Sequence, residues 1–193
     1  MKYPITKKGI FWSIQGEGAM AGTPMAFVRL AGCSIGCDWC DTDYSMDRKL
    51  TEREIVAAVD RLPPIGESNW VWITGGEPTD YFLVPLVETL RQRHYRVAIA
   101  TAGHSLRECS ADWWSVSPHD TEWVHVAGAE LKLIDGLGGM ALDDYNVGDC
   151  EFDHCFVQPL WGDPESTKRC VAFVKKHPDW RISLQMHKYL DMP

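Results

Sequence analysis

The feature that most limits the folds open to this chain is its alternation of short apolar segments with helical segments. Apolar segments typical of buried strands lie at 25–30, 70–74, 96–101, 113–117, 130–134, 155–158 and 181–185. Helical periodicity follows Thr51 and recurs over 80–93 and 166–176. Strands joined by helices make right-handed crossovers, so the pattern predicts a largely parallel sheet.

Chain length decides between a closed and an open version of that sheet. A closed eight-stranded barrel takes about 250 residues, and this chain has 193. We therefore predict an α/β fold with one domain over 1–193. It should be a partial (β/α) barrel with mostly parallel strands and some crossover helices lost or shortened. Ligands should bind at the carboxyl ends of the strands, as in other α/β sheets.

Charge and hydropathy narrow the range of partners. The formal net charge is −8, and an acidic surface repels phosphate backbones, so we expect no nucleic acid as a main partner. No apolar run approaches the roughly 18 to 20 residues of a membrane span. Residues 1–8 lead into no long apolar segment typical of a secretory signal. These features predict a cytoplasmic protein with no membrane partner.

Three of the seven cysteines, Cys33, Cys37 and Cys40, fall within eight residues, directly after a predicted strand. Cysteine thiolates are the usual ligands of iron–sulfur clusters, and three ligands would leave one iron of a cubane open to a small molecule. Zinc is an alternative, because Cys150 and Cys155 could complete its four ligands. A further alternative is that these cysteines are small core residues.

The remaining cysteines have no predicted role. An odd number in a chain of cytosolic character argues against a disulfide framework. A second cluster is conceivable, but the sequence offers no additional domain to house one. These four cysteines are Cys109, Cys150, Cys155 and Cys170.

The cysteine spacing C-x3-C-x2-C, with Trp39 before the last cysteine, resembles the signature of the radical S-adenosylmethionine (SAM) superfamily. The run Thr-Gly-Gly-Glu-Pro at 74–78 resembles that superfamily's Gly-Gly-Glu motif, which contacts the SAM amino group. Glycine allows a backbone to approach a ligand closely. The resemblance implies a [4Fe-4S] cluster on Cys33, Cys37 and Cys40. It also implies a SAM site formed by Trp39, Gly75, Gly76, Glu77, Ser117, His119 and Gln158.

Within that superfamily the chain resembles the 7-carboxy-7-deazaguanine synthase family. The segments that carry this resemblance are 13–18, 22–24, 27–33, 39–42 and the tail at 183–190. The resemblance implies a lyase that converts 6-carboxy-5,6,7,8-tetrahydropterin to 7-carboxy-7-deazaguanine with loss of ammonia, in 7-deazapurine (queuosine) biosynthesis. It implies that the reduced cluster cleaves SAM to a 5′-deoxyadenosyl radical, which takes hydrogen from C6 of the pterin. It further implies Mg²⁺, regenerated SAM, a flavodoxin- or ferredoxin-type electron donor and a homodimer.

The same resemblance implies roles for individual residues. The Thr42 hydroxyl would bind Mg²⁺, which often takes few protein ligands. Arg29 would lie near the substrate carboxylate, which a guanidinium can hold with two hydrogen bonds. Gln15 and Glu17 suit a ring edge that offers both donors and acceptors. The implied substrate residues are Ile14, Gln15, Glu17, Arg29, Thr74, His187 and Pro193, the last through a terminal carboxylate. No catalytic residue is predicted beyond these ligands.

One position departs from the family's pattern. Ser117 and Pro118 are followed by His119, where a lysine is expected. Because of this departure, the sequence does not identify the residue that would pair with the SAM carboxylate. Lys132, in the run Glu-Leu-Lys at 130–132, could substitute for it or be an ordinary strand-edge lysine.

Two other functions remain open at this point. A glycyl-radical-enzyme activase has the same cysteine spacing, but it acts on a protein and needs neither Gln15 and Glu17 nor the Gln-x-His-Lys tail at 185–188. A non-catalytic module that binds zinc or a cluster would not need the Gly-Gly-Glu motif and would bind no SAM.

Overall fold

In the computed structural model the described residues are 1–38, 40, 42–63, 69–105, 109–125, 127–145, 147–148 and 150–192. Within these ranges the strands form one sheet in the order β3-β1-β2-β4-β5-β6-β7-β8-β9. They are β1 Lys2–Ile14, β2 Pro24–Leu30, β3 Arg48–Thr51, β4 Trp70–Gly75, β5 Arg96–Thr101, β6 Trp113–Val116, β7 Ala127–Asp135, β8 Glu151–Pro159 and β9 Trp180–Ile182.

Every pairing from β2 through β9 is parallel, whereas β1 runs antiparallel to both β2 and β3. The order is open, with β3 and β9 at the edges. The predicted fold class, a mostly parallel α/β sheet, is confirmed. No helix occurs in the described parts of the connections at 102–112 and 117–126, which agrees with the expected shortening of crossovers.

The helices are α1 Glu52–Val59, α2 Val84–Gln92, α3 Pro164–Lys176 and α4 Met186–Tyr189. The predicted capping box at the start of α1 is present: Thr51 Oγ1 accepts from Glu54 N at 3.3 Å, and Glu54 Oε2 accepts from Thr51 N at 2.8 Å. Pro85 lies in the first turn of α2, where a proline interrupts no helical hydrogen bond. No helix in the described part of the chain is long and apolar enough to cross a membrane.

The strand β1 was not predicted, for a visible physical reason. Its alternation is broken by a shift of register between Ile5 and Ile10, so the apolar side chains do not keep a period of two. Two lysines, Lys7 and Lys8, stand at the irregularity and are exposed. The prediction for the last strand was also inaccurate, since β9 is only three residues long.

The helices α1, α2 and α3 cover one face of the sheet, whereas the short helix α4 lies against the turn between β1 and β2. Val28, Ile73 and Ile99 point to this face and pack in a cluster with residues of α1 and α2, and a second cluster joins β7 and β8 to Cys170 of α3. The opposite face, here the helix-free face, carries Met25, Phe27, Trp70, Trp72 and Ala98 near the amino-terminal half of the strands. Because side chains alternate along a strand, Arg29, Thr74, Lys132 and Gln158 belong to this face, nearer the carboxyl ends.

Candidate active site

The cysteine-bearing loop leaves the carboxyl end of β2 and is fixed by the segment after β4. Asp80 accepts hydrogen bonds from Ser34 N at 2.8 Å and Ser34 Oγ at 2.6 Å. The Tyr81 hydroxyl donates to Ala31 O at 2.6 Å. Gly32 has φ +83°, a conformation that glycine adopts at little cost. The residues that follow β4 therefore hold the start of the cysteine loop in place.

The three thiols of this loop share one electrostatic environment. Cys33 and Cys37 are half-buried and Cys40 is exposed. Burial raises the pKa of Cys37, and the neighbouring charges of Cys33 and Cys40 raise it further. Within the described ranges, no three His, Cys, Asp or Glu side chains lie close enough to hold a single metal ion. Bound iron would relieve the repulsion among three neighbouring thiolates. The three cysteines therefore fit a [4Fe-4S] cluster chemically.

The other cysteines lie among apolar side chains. Cys150, Cys155 and Cys170 belong to the cluster beneath β7, β8 and α3, and Cys109 packs against the cluster beneath α1 and α2. Burial raises the pKa of Cys109, of Cys155 and of Cys170, the last to about 12. These cysteines therefore pack as small apolar side chains.

Gly75 and Gly76 bring β4 into backbone contact with the cysteine loop. A Cβ at Gly75, where φ is +119°, would lie 2.1 Å from Leu30 O, and a Cβ at Gly76 would lie 1.6 Å from Gly32 O. Gly76 N donates to Leu30 O at 2.9 Å. These glycines are thus required by the close approach of two backbones, in addition to the predicted contact with SAM.

The Glu77 carboxylate joins the ends of β4 and β5. It is 3% exposed. Its Oε1 accepts from Thr79 N at 3.0 Å, Thr79 Oγ1 at 2.8 Å and Thr101 Oγ1 at 2.7 Å, and its Oε2 accepts from Ala102 N at 2.8 Å. Among the described residues, Oε1 receives three hydrogen bonds and Oε2 receives one. Oε2 is therefore the oxygen better placed to accept a further donor such as an ammonium.

Ser117 and His119 follow β6 and point to different neighbours. Ser117 Oγ donates to Lys132 O at 3.1 Å, whereas His119 Nδ1 lies 3.5 Å from Cys37 Sγ. Burial lowers the pKa of His119 to about 4, with contributions from Lys132 and His104 that exceed the opposing effect of Asp120. The imidazole is therefore neutral near neutral pH, so the position expected to hold a lysine carries no cation.

Arg29 and Thr74 are neighbours on the helix-free face. They are paired in the register of β2 and β4, and the Arg29 guanidinium lies 4.7 Å from the centre of the Phe11 ring. The ring face attracts the cation and limits its orientations. The structure thus brings together the two residues predicted to bind substrate from separate strands.

The turn between β1 and β2 carries the other predicted substrate residues. Ile14 ends β1 opposite Pro24. Gln15 is 7% exposed, and its Oε1 accepts from Glu17 N at 3.1 Å. Backbone bonds from Gln15 N to Thr23 O and from Gly22 N to Gln15 O, both 2.8 Å, close the turn. The side chain of Gln15 therefore helps to shape the backbone that presents Glu17.

Glu17, whose side chain is 18% exposed, is the centre of a partly buried polar network. Lys132 Nζ forms an ion pair with its Oε2, and its Oε1 accepts from Gln185 Nε2 at 2.9 Å and from Gln158 Nε2 at 3.3 Å. Burial alone would raise the pKa of Glu17, but the charge and hydrogen bond of Lys132, with smaller effects of Gln185 and His187, lower it to about 2. Glu17 is therefore ionised at any physiological pH.

The C-terminal segment closes over this turn. Met186 N donates to Gly16 O at 2.8 Å. The His187 ring lies directly on Gly16, since a Cβ there would be 2.1 Å from Nδ1. Ser183 Oγ accepts from Gly18 N at 3.0 Å and donates to Gln158 Oε1 at 2.9 Å. The tail and the turn therefore form one wall of the site.

The sequence did not single out Gln185, Ser183 and Glu130 as members of this wall. Glu130 is 1% exposed and accepts from Ala19 N at 2.8 Å and Ser115 Oγ at 2.7 Å. The available signal was the presence of two charges at alternate positions, 130 and 132, beside apolar residues of a strand. Thr42 is half-buried beside Cys40, and the predicted residues Trp39 and Pro193 lie outside the described residues.

Comparison with known proteins identifies the family. The Radical SAM superfamily model matches residues 28–120. The 7-carboxy-7-deazaguanine synthase of Burkholderia multivorans is 37% identical, over 96% of this chain and 98% of that protein. The Escherichia coli protein of the same name is 30% identical over 100% of both. The chain belongs to the 7-carboxy-7-deazaguanine synthase family. The crystal structure of QueE from Escherichia coli agrees, with a TM-score of 0.79 and 27% identity over 97% of this chain and 95% of that one.

Membership of the 7-carboxy-7-deazaguanine synthase family decides among the alternatives left open by the sequence. The chain is a radical SAM lyase, and its cofactors are a [4Fe-4S] cluster and SAM. The predicted family, fold and enzyme class are confirmed. An activase or a non-catalytic module is not supported. The roles assigned to single residues remain predictions.

Proposed function

We propose that this chain converts 6-carboxy-5,6,7,8-tetrahydropterin to 7-carboxy-7-deazaguanine, with release of ammonia, in 7-deazapurine (queuosine) biosynthesis. The observation that carries the proposal is that Arg29 and Thr74 are neighbours on the helix-free face, and that Glu17 pairs with Lys132, a residue of the same face. This face lies beside the cysteine loop and is walled by the tail. A small polar ring with a carboxylate matches such a set of groups.

The polar residues would bind different parts of the substrate according to their charge. The Arg29 guanidinium is positive and can hold the substrate carboxylate through two hydrogen bonds. The Glu17 carboxylate accepts three hydrogen bonds from protein groups, which leaves about one acceptor position for an N–H of the pterin. His187 covers Gly16 in the turn that carries Glu17, and so limits the access of water.

The [4Fe-4S] cluster and SAM, when bound, supply an electron and the hydrogen-abstracting group. The chain's own residues would bind the cluster through Cys33, Cys37 and Cys40 and receive the SAM amino group at Glu77. The segments that carry these residues are joined by the bond from Gly76 N to Leu30 O. That connection would keep cluster and SAM in one fixed relation to the substrate face.

Several finer assignments belong to the same proposal. The Thr42 hydroxyl would ligate Mg²⁺ together with substrate oxygens, because Mg²⁺ keeps most of its coordination for water and substrate. A flavodoxin- or ferredoxin-type protein would supply the electron. The active form would be a homodimer in the cytoplasm.

Anaerobic turnover tests the proposal. The protein with a reconstituted cluster is incubated with SAM, Mg²⁺, a reductant and 6-carboxytetrahydropterin, and 7-carboxy-7-deazaguanine is measured by mass spectrometry. We expect product from the wild type, none from Cys37→Ala, and normal product from the matched control Cys150→Ala, since Cys150 is partly buried against the apolar cluster near β8, away from the cysteine loop. Deoxyadenosine without deazapurine would refute the substrate assignment.

A further inference from the structure

A buried lysine pairs at the candidate site with a carboxylate of the turn after β1. Lys132 lies in β7 and is 8% exposed. Its ammonium pairs with Glu17, 115 residues away in sequence. Burying two charges is costly, and such a pair is weak evidence for a purely stabilising role. The pair therefore calls for an explanation in terms of the site.

Among the described titratable groups near Lys132, it is Glu17 that the ammonium contacts. Glu130 lies on the same face of β7, but its carboxylate accepts from Ala19 N and Ser115 Oγ. His119 is near enough for Lys132 to lower its pKa, and it is neutral. Around Glu17, the facing groups are Lys132 from β7, Gln158 from β8, and Gln185 and His187 from the tail.

Glu17 is thus held by three separate parts of the fold. The turn after β1 supplies the carboxylate, the ends of β7 and β8 supply Lys132 and Gln158, and the C-terminal segment supplies Gln185. The amides occupy Oε1 and the ammonium occupies Oε2. The two amides are neutral, so Lys132 provides the positive charge among these direct contacts.

We propose that Lys132 is a positioning residue for substrate binding, which orients the Glu17 carboxylate so that its remaining acceptor position meets an N–H group of the substrate. The proposal rests on the function proposed above. It concerns a residue that acts through Glu17 and does not itself need to touch the substrate.

Removal of the ammonium has a consequence that a merely structural role lacks. In the wild type the pKa of Glu17 is about 2, so this carboxylate is ionised and its contribution to binding is constant from about pH 6 to about pH 8. Without Lys132 the pKa of the buried carboxylate rises, because burial is no longer opposed by the cation. Substrate affinity should then fall as the pH falls through that raised pKa.

The experiment measures the dissociation constant of 6-carboxytetrahydropterin by tryptophan fluorescence. It uses protein loaded with cluster and SAM, without reductant so that no turnover occurs. For Lys132→Met we expect binding weaker by on the order of tenfold or more at about pH 8 and weaker still at about pH 6. Lys132→Arg should restore a flat pH profile. Lys168→Met, which removes an exposed lysine paired with Glu165, should bind as the wild type does.

A double variant separates positioning from general damage to the fold. If Lys132 acts through Glu17, then Lys132→Met added to Glu17→Gln should weaken binding no further than Glu17→Gln alone. Additive losses, or a pH-independent loss in Lys132→Met, would overturn the proposal. Turnover by the wild type is measured first. Absence of product would refute the proposed function, whereas product together with unchanged binding in Lys132→Met would refute only this inference.

Discussion

The two halves of the site are built in different ways. The half that would hold cluster and SAM is local: the cysteine loop follows β2, the Gly-Gly-Glu segment follows β4, and these neighbouring strands are tied by backbone bonds at glycines. The half around Glu17, which would hold substrate together with Arg29 and Thr74, is assembled from the turn after β1, strands β7 and β8, and the tail. The first half depends on backbone shape, and the second on buried charge.

The difference predicts different responses to substitution. A side chain added in the local half meets backbone atoms, which cannot move without displacing a strand. When a charge is removed in the assembled half, the backbone stays in place but the pKa of the remaining partner changes. Stability and binding then depend on pH. The predictions below test this contrast from the largest expected effect to the smallest.

Gly76→Ala should be the most damaging single change. Its Cβ would lie 1.6 Å from Gly32 O, so the cysteine loop must shift away from β4. We expect the free energy of unfolding to fall by on the order of 3 to 5 kcal/mol, with loss of iron from the reconstituted protein. Urea denaturation and iron content are the measurements.

A glycine outside the site provides the control for Gly76. Gly139 has a positive φ, +85°, which Gly76 lacks, but a Cβ at Gly139 would meet nothing within 4 Å. Gly139→Ala should therefore cost only the left-handed conformation, about 1 kcal/mol, and keep its iron. A loss at Gly76 no larger than the loss at Gly139 would contradict the importance of the close contact between the two backbones.

In the assembled half, the ionisation of Glu17 should make the free energy of unfolding depend on pH in the acidic range. Burial would raise its pKa, but Lys132 and the hydrogen bonds lower it from 4.5 to about 2. The stabilisation is therefore present above about pH 4.5 and is lost as the pH falls towards about 2. It amounts to about 3 kcal/mol. Urea unfolding across this range should show the slope in the wild type.

Two variants locate the origin of this slope. Glu17→Gln should abolish that part of the pH dependence, because the amide does not titrate. Glu165→Gln should leave it intact, since Glu165 lies at an exposed pair with Lys168. A slope that persists in Glu17→Gln would assign the acid sensitivity to other carboxylates.

Glu77→Gln tests whether a buried carboxylate in the local half behaves differently. Glu77 receives four hydrogen bonds from Thr79, Thr101 and Ala102 and has no cation among these partners. An amide NH₂ would face at least one of these donors, so we expect a loss of about 2 kcal/mol in the free energy of unfolding. Thermal unfolding of the cluster-free protein measures it. A neutral result would show that the carboxylate is free to be replaced and serves SAM alone.

The contrast also explains how much of the molecule could be predicted from sequence. The cysteine loop and the Gly-Gly-Glu segment are contiguous motifs, and strands such as β5 follow from uninterrupted apolar runs, so these were found. The ion pair of Glu17 with Lys132 depends on the order of strands and on the position of the tail, which no local pattern encodes. The strand β1 was missed because its irregular register hides its periodicity.

The smallest expected effect concerns His119, where the two halves meet. Its ring lies 3.5 Å from Cys37 Sγ and is neutral, with a pKa of about 4. His119→Lys would restore the residue expected from the family's pattern and add a cation beside a thiol whose pKa is raised by burial and by its neighbours. The cation should favour the Cys37 thiolate.

Alkylation of the cluster-free protein measures this effect. We expect iodoacetamide to label Cys37 about threefold faster in His119→Lys than in the wild type at the same pH, because the thiolate is the reactive form. Labelling of Cys150, which is partly buried against the apolar cluster near β8, provides the internal control and should not change. If the Cys37 rate is unchanged, the added ammonium pairs with a carboxylate such as Asp120 instead, and the electrostatics of the cluster half would not depend on residue 119.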